Sequence, residues 1–266
     1  MSQHLLFLHI PKNGGMTVCS LLDRFYPRDR IFQIEVLDHT QLNVGEFLAL
    51  SQEEKDSLFV LQGHMLFGLH SQFSGVAKYI TFLRRPEERV VSFYYYVRNH
   101  MDHRLHRFVE GGKLSIYDFV TQVDDGDVNN CQIRWISGVD GTEDEMLEGA
   151  LANIENHFSF VGVLERFDES LVVLQQLNDW SVPYYWKQNV TRRRPVQDVL
   201  DTRTIEAIRE RNVGDEQLYE KMLVRLNDQL SSIEDWESKL KRLQRVNAWV
   251  QTPGLRRVAR WVSGAW

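Results

Sequence analysis

Two cysteines, Cys19 and Cys131, are too few for a disulfide framework or a cysteine-based metal site. Cys19 falls in the apolar pattern of a helix, where a small buried thiol is the ordinary explanation. No apolar stretch approaches the about eighteen residues that a membrane span needs. Leu5–Leu8 is too short for a signal core and runs straight into a glycine-containing loop. There is no internal repeat and no low-complexity linker. A net charge of −6 does not mark a groove for nucleic acid or another polyanion. What remains is one α/β domain, with 266 residues and 43% hydrophobic content to build one sizeable core.

Against that background two short segments stand out. His9-Ile10-Pro11-Lys12-Asn13-Gly14-Gly15-Met16-Thr17 follows the apolar run Leu5–Leu8, and Arg84-Arg85-Pro86-Glu87-Glu88-Arg89-Val90-Val91-Ser92 follows Tyr79–Leu83. Each reads as a strand, a turn and an amphipathic helix, the arrangement in which unpaired amides and the positive helix end bind an anion. In a Walker-type loop the lysine comes after the last glycine and reaches the β- and γ-phosphates. Here Lys12 precedes Gly14-Gly15, which argues against ATP or GTP hydrolysis and leaves Thr17 and the amides of residues 13 to 17, Met16 among them, to hold one phosphate. In the second segment Pro86 suits the first helical position and Glu87 and Glu88 suit the helix dipole. Arg84 leaves the strand end and Ser92 lies two turns into the helix, facing the same ligand. Arg89 reads as structural or solvent-facing, and Phe93 to Tyr96 as packing aromatics.

The two segments together resemble the 5′- and 3′-phosphate loops of sulfotransferases that use 3′-phosphoadenosine 5′-phosphosulfate (PAPS), in particular the branch with the carbohydrate 2-O-sulfotransferases and their bacterial relatives. The resemblance continues at Gly63-His64, Asn130-Cys131-Gln132-Ile133-Arg134, Ser137-Gly138, Phe160–Phe167 and Asn189-Val190-Thr191, so it spans roughly residues 5 to 225. Asn13, Met16 and Arg85 depart from it, standing where the family carries threonine, a second hydroxyl, and Asp or Asn.

The resemblance implies sulfuryl transfer from PAPS to a hydroxyl, without a metal. Lys12 would neutralise the bridging oxygen, and Arg84 and Ser92 would clamp the 3′-phosphate; the run Arg192, Arg193 and Arg194 reads either as a basic loop closing over the nucleotide or as a solvated charge run. Histidine suits the base because its pKa lies near neutrality, and the resemblance selects His64; His70 nearby in sequence and Arg134, a cation for an anionic glycan, are the candidate substrate contacts. His100, His103 and His106 spread round a helix and lack a completing carboxylate motif, so no metal is expected. The acceptor implied is a carbohydrate hydroxyl, with a small metabolite or lipid hydroxyl second. The family's Golgi members carry an anchor, and this chain begins at the catalytic segment; the expectation is a cytoplasmic enzyme of bacterial or viral type. Two alternatives stand: a P-loop phosphotransferase, for which no Walker-B acid is found, and a non-catalytic glycan-binding relative, against which Lys12 and His64 argue.

The pattern predicts strands at 4–9, 58–62, 78–83 and 159–164, and helices at 15–25, 86–98, 115–123, 143–156 and 168–178. Such alternation gives a P-loop-like parallel sheet flanked by helices on both faces, with a helical C-terminal extension. Residues 201–232 read as two helices broken at Gly214-Asp215, completing a domain over 1–232. The segment 233–266 is then a basic, tryptophan-containing helical tail; from Trp236 it has seven Lys and Arg against Glu237. Packing of Trp236, Leu240, Leu243 and Val246 or Asn247 on the domain is the reading taken over contact with an anionic membrane surface.

Overall fold

The computed structural model describes residues 3–35, 43–186 and 200–252. Five parallel strands, β1 (Gln3–Leu8), β2 (Ile31–Ile34), β3 (Val60–Gly63), β4 (Val76–Leu83) and β5 (Phe158–Val163), form one sheet in the order β2-β3-β1-β4-β5. Central strands of a parallel sheet are covered on both sides, so they read as continuous apolar runs. Leu5 to Leu8 are all buried.

Twelve α-helices connect and cover the sheet among the described residues: α1 (Gly15–Phe25), α2 (Val44–Ala49), α3 (Gln52–Ser57), α4 (Pro86–Asn99), α5 (His106–Val109), α6 (Ile116–Gln122), α7 (Cys131–Ser137), α8 (Glu143–His157), α9 (Phe167–Leu177), α10 (Thr202–Glu210), α11 (Val213–Ser231) and α12 (Trp236–Val250). Ser115 with Asp118 and Thr142 with Glu145 form the capping boxes that start α6 and α8. The chain leaves β1 toward β2 and leaves β4 toward β5, in opposite directions across the sheet. Right-handed crossovers therefore put helices on both faces. The reversal falls between adjacent β1 and β4, the switch point beyond whose carboxyl ends ligands of open α/β sheets bind.

The predicted strands and helices in this core agree with the structure to within two residues. β2 and the short helices α2, α3, α5 and α7 were not anticipated. The break in the last third is misplaced in the sequence reading: α10 ends before Arg211-Asn212, and Gly214 and Asp215 lie inside the first turn of α11. Gly214 is required by close packing, since a Cβ there would stand 2.5 Å from Ile133 Cδ1. Arg89 is fully buried, and its guanidinium donates to the carbonyls of Asp127 (2.9 Å) and Val128 (3.2 Å), shaping the turn before α7.

α12 lies against α9. Leu243 and Val250 are buried, Trp236 and Leu240 pack on the main core, and Asn247 Oδ1 accepts from the Tyr185 amide at 2.9 Å. The rest of the basic tail, from Pro253, falls outside the described residues, as do Asn189-Val190-Thr191 and Arg192, Arg193 and Arg194. Among the described residues no helix is long and apolar enough to cross a membrane.

Candidate active site

The turn after β1 is built by two left-handed residues, Lys12 (φ 71°) and Gly14 (φ 78°), the second being the N-cap of α1. The Asn13 amide donates to the Ile10 carbonyl (3.3 Å) and the Thr17 amide to the Gly14 carbonyl (3.1 Å). The amides of Gly14, Gly15 and Met16 remain as the helix start that has no intrahelical acceptor, a nest for an anion. Of residues 13 to 17, Asn13 and Thr17 thus have main-chain acceptors for their amides. Met16 contributes main chain only, its side chain being 53% exposed.

Gly15 is demanded by sterics. A Cβ there would stand 1.9 Å from His9 Cδ2. The His9 ring is pinned in place by stacking on His64 (4.2 Å between centroids) and beside Phe7 (5.6 Å).

The Lys12 ammonium sits 4.3 Å from the centroid of the Tyr96 ring on α4. Burial, reinforced by the charge of Arg84, lowers its pKa to about 8. Asn13 points inward, donating from Nδ2 to the Phe82 carbonyl and to Gln132 Oε1, both at 2.8 Å.

Across the switch point, Arg84 leaves β4. Its guanidinium donates to the Lys12 carbonyl (3.2 Å) and pairs with Glu88 (3.2 Å), so the two turns touch directly. The departure at Arg85 is accommodated to one side: its amide donates to Glu165 Oε1 (3.1 Å) and its guanidinium lies 5.4 Å from the Tyr219 ring. Tyr219 in turn donates to Glu165 Oε2 at 3.1 Å. Ser92 is half-buried two turns along α4.

His64 follows β3 through Gly63, whose φ of 130° and close approach to the Ile34 carbonyl exclude a side chain. His64 Nδ1 lies 2.8 Å from the His9 carbonyl oxygen. A carbonyl only accepts, so Nδ1 carries the hydrogen and Nε2 keeps its lone pair. Burial lowers the His64 pKa from its ordinary value, with the charge of Lys12 acting the same way against the His9 bond and Asp127. His9 is pushed well below its ordinary value, mainly by burial and then by His64 and Lys12. Both imidazoles are therefore neutral at neutral pH. Trp135 stands edge to face with His64 at 5.8 Å.

Lys12, Asn13, Gly14, Gly15, Met16, Thr17, Arg84 and His64 all lie at the carboxyl ends of β1, β3 and β4. Of the two expected substrate contacts, His70 lies apart from them, and Arg134 is on α7 beside Gln132 and Trp135. His70 packs against His157 (4.3 Å), Phe67 and Tyr79, at the amino end of β5 and so on the opposite side of the sheet. Arg134 pairs with Asp140 and presses on Gly126, while Arg104 is held by Asp125 and Asp127. Sequence reasoning gave no role to Gln132, Asp215, Glu165 or Trp135. The signal for Gln132 was present, in the Asn130–Arg134 motif.

An open parallel α/β sheet thus brings the turns after β1 and β4 together at its switch point, with a lysine of lowered pKa on the first turn and a histidine after the neighbouring β3. The chain belongs to the galactose-3-O-sulfotransferase family, whose sequence profile matches residues 2–246. That match extends past residue 232 into α12. The family so defined agrees with the sulfotransferase resemblance in class and bears the name of a different branch. No curated protein sequence matches significantly. Among solved structures, mouse sulfotransferase SULT7A1 complexed with PAP is similar over 81% of this chain and 65% of that chain, at 13% identity and a TM-score of 0.41. This chain spans less than two thirds of that protein's length.

Proposed function

We propose that this protein transfers a sulfuryl group from PAPS to a carbohydrate hydroxyl, with His64 as the base. The observation that carries the reading is the meeting of the two turns at the β1/β4 switch point, where Arg84 Nη1 donates to the Lys12 carbonyl at 3.2 Å. The residues fit the donor: the first-turn amides of α1 with Thr17 for a 5′-phosphate, Arg84 with Ser92 for a 3′-phosphate, and Lys12 between them. PAPS supplies a leaving group that is already stable as a phosphate.

The chain's own part is placement and charge. Lys12 brings its positive charge to the bridging oxygen, where negative charge develops. Its ammonium, resting over Tyr96, is desolvated in advance and so needs little rearrangement. His64 Nε2 takes the acceptor's proton, and the His9 carbonyl holds the ring in the required tautomer. The family name favours a galactose 3-hydroxyl as acceptor, and the motif resemblance a 2-hydroxyl of another sugar; both belong in the same panel.

The test is transfer of labelled sulfate from PAPS to galactosides and other glycans, with melting curves beside it. Adenosine 3′,5′-bisphosphate should raise the melting temperature in EDTA, while ATP does little. Arg84→Ala should weaken the bisphosphate by about 1.5–3 kcal/mol, the scale of a lost hydrogen bond to a charged group. Equal or greater stabilisation by magnesium-ATP overturns the reading.

The acid–base reading also fixes a pH profile. In the free enzyme kcat/KM should rise with pH through a His64 pKa that lies below the ordinary histidine value. It should fall again as Lys12 loses its proton at about 8. Lys12→Arg keeps its charge throughout this range, so it should shift the alkaline limb upward. An alkaline limb unchanged in that variant would show that another group titrates.

A further inference from the structure

Gln132 lies between the two turns, fully buried on the first turn of α7. Its carboxamide makes three hydrogen bonds. Oε1 accepts from Asn13 Nδ2 (2.8 Å) and from the Arg84 amide (2.9 Å), while Nε2 donates to the Arg84 carbonyl (2.9 Å). One side chain therefore grips the turn after β1 and both main-chain groups of the residue that leaves β4.

Gln132 is itself fixed from behind. Its amide and that of Ile133 donate to the Asp215 carboxylate at 3.1 and 2.8 Å. Asp215, fully buried on α11, caps α7 where Asn130, left-handed at φ 47°, supplies no side-chain cap. The Asp215 amide returns a bond to Asn130 Oδ1 at 3.1 Å.

We infer that Gln132 is a positioning residue that sets the separation of the two anion sites, and with it the preference for a nucleotide bearing both 5′- and 3′-phosphates over one bearing only the 5′-phosphate. The inference rests on the sulfotransferase reading of the two turns. The phosphates of such a ligand are held apart by a stiff ribose, so the second contact adds its full affinity only if the turns already stand at that spacing. A 5′-monophosphate needs one turn and is indifferent to the other. The position requires a group that both accepts and donates while staying neutral. A carboxylate could not donate to the Arg84 carbonyl and would put negative charge between two sites for anions; a thioether would make none of the three bonds.

The test is calorimetric titration of wild type, Gln132→Glu and Gln132→Met with adenosine 3′,5′-bisphosphate and with adenosine 5′-monophosphate, with ligand-free melting as the control for folding. The preference for the bisphosphate should fall about 30-fold in Gln132→Glu and about tenfold in Gln132→Met, while monophosphate affinity falls less than about threefold. The donor KM should rise by a larger factor than kcat falls. Where the charged variant does not fold, the methionine variant reads the same ratio. An equal loss for both ligands, or an unchanged preference, overturns the role of Gln132. A wild-type protein with no preference for the bisphosphate instead overturns the donor reading on which that role rests.

Discussion

Replacing His64 by alanine is expected to lower kcat by a factor on the order of 10²–10⁴, the usual contribution of a positioned general base, while affinity for adenosine 3′,5′-bisphosphate stays at the wild-type level. The separation follows from the geometry. His64 reaches the site from β3 and bonds the His9 carbonyl, whereas the anion-binding groups belong to the turns after β1 and β4. Losing the ring leaves that carbonyl without its donor and removes the stacking on His9, at a cost of about 1–2 kcal/mol that a melting curve would register. Single-turnover measurement with saturating donor checks the chemistry alone. Near-normal turnover would move the base elsewhere, and His70, on the far side of the sheet, is too poorly placed to inherit it.

Gly15→Ala should be nearly as damaging although it adds one methyl group. The new Cβ would meet His9 at 1.9 Å, and His9 has His64 on one face and Phe7 close by. Either the first turn of α1 lifts away and loses its amide nest, or His9 swings and carries the His64 hydrogen bond with it. Misplacement on the order of 1 Å in such a site costs about 10²-fold in rate, and overpacking a core costs about 1–3 kcal/mol in stability. Gly45→Ala in α2 is the matched control. Nothing lies within 4 Å of its Cβ position, so it should be neutral or stabilise the helix by up to about 1 kcal/mol. A Gly15→Ala protein with wild-type activity would show that the His9 stack does not constrain the loop.

What could be read from the sequence was local. β1, α1, β4 and α4 carry their own signals: continuous apolar runs, a glycine pair, and proline with two acids at a helix start. β2 has four residues of which only Ile34 is fully buried, and it follows Arg28-Asp29-Arg30, so neither alternation nor a long apolar run marks it. α7 is seven residues long, and its cap is the carboxylate of Asp215, more than eighty residues further on. A window of sequence cannot contain that partner. The same long-range contact explains the misplaced break, because Gly214 and Asp215 look like turn residues and are instead there to meet Ile133 and the end of α7.

The candidate site divides along the same line. Lys12, Gly14, Gly15, Arg84 and His64 stand beside strand ends that the pattern locates, and the fold gathers them. His70 is near His64 in sequence, yet its ring packs on His157 at the amino end of β5, while Arg134 on α7 is paired with Asp140. Gln132 stands in the Asn130–Arg134 motif, but it has no reactive group and its part shows only when its three bonds are seen together.

The dependence of α7 on Asp215 also orders events during synthesis. Both anion-binding turns have left the ribosome once residue 92 is clear, and Gln132 follows some forty residues later. The carboxylate that holds α7, and Tyr219, which holds Glu165 and through it Arg85, arrive only with α11. A nascent chain halted before residue 215 has Gln132 and both turns but lacks the carboxylate that holds α7 in place. Under the proposed function, nucleotide binding is expected to be gained only once α11 has folded onto the sheet.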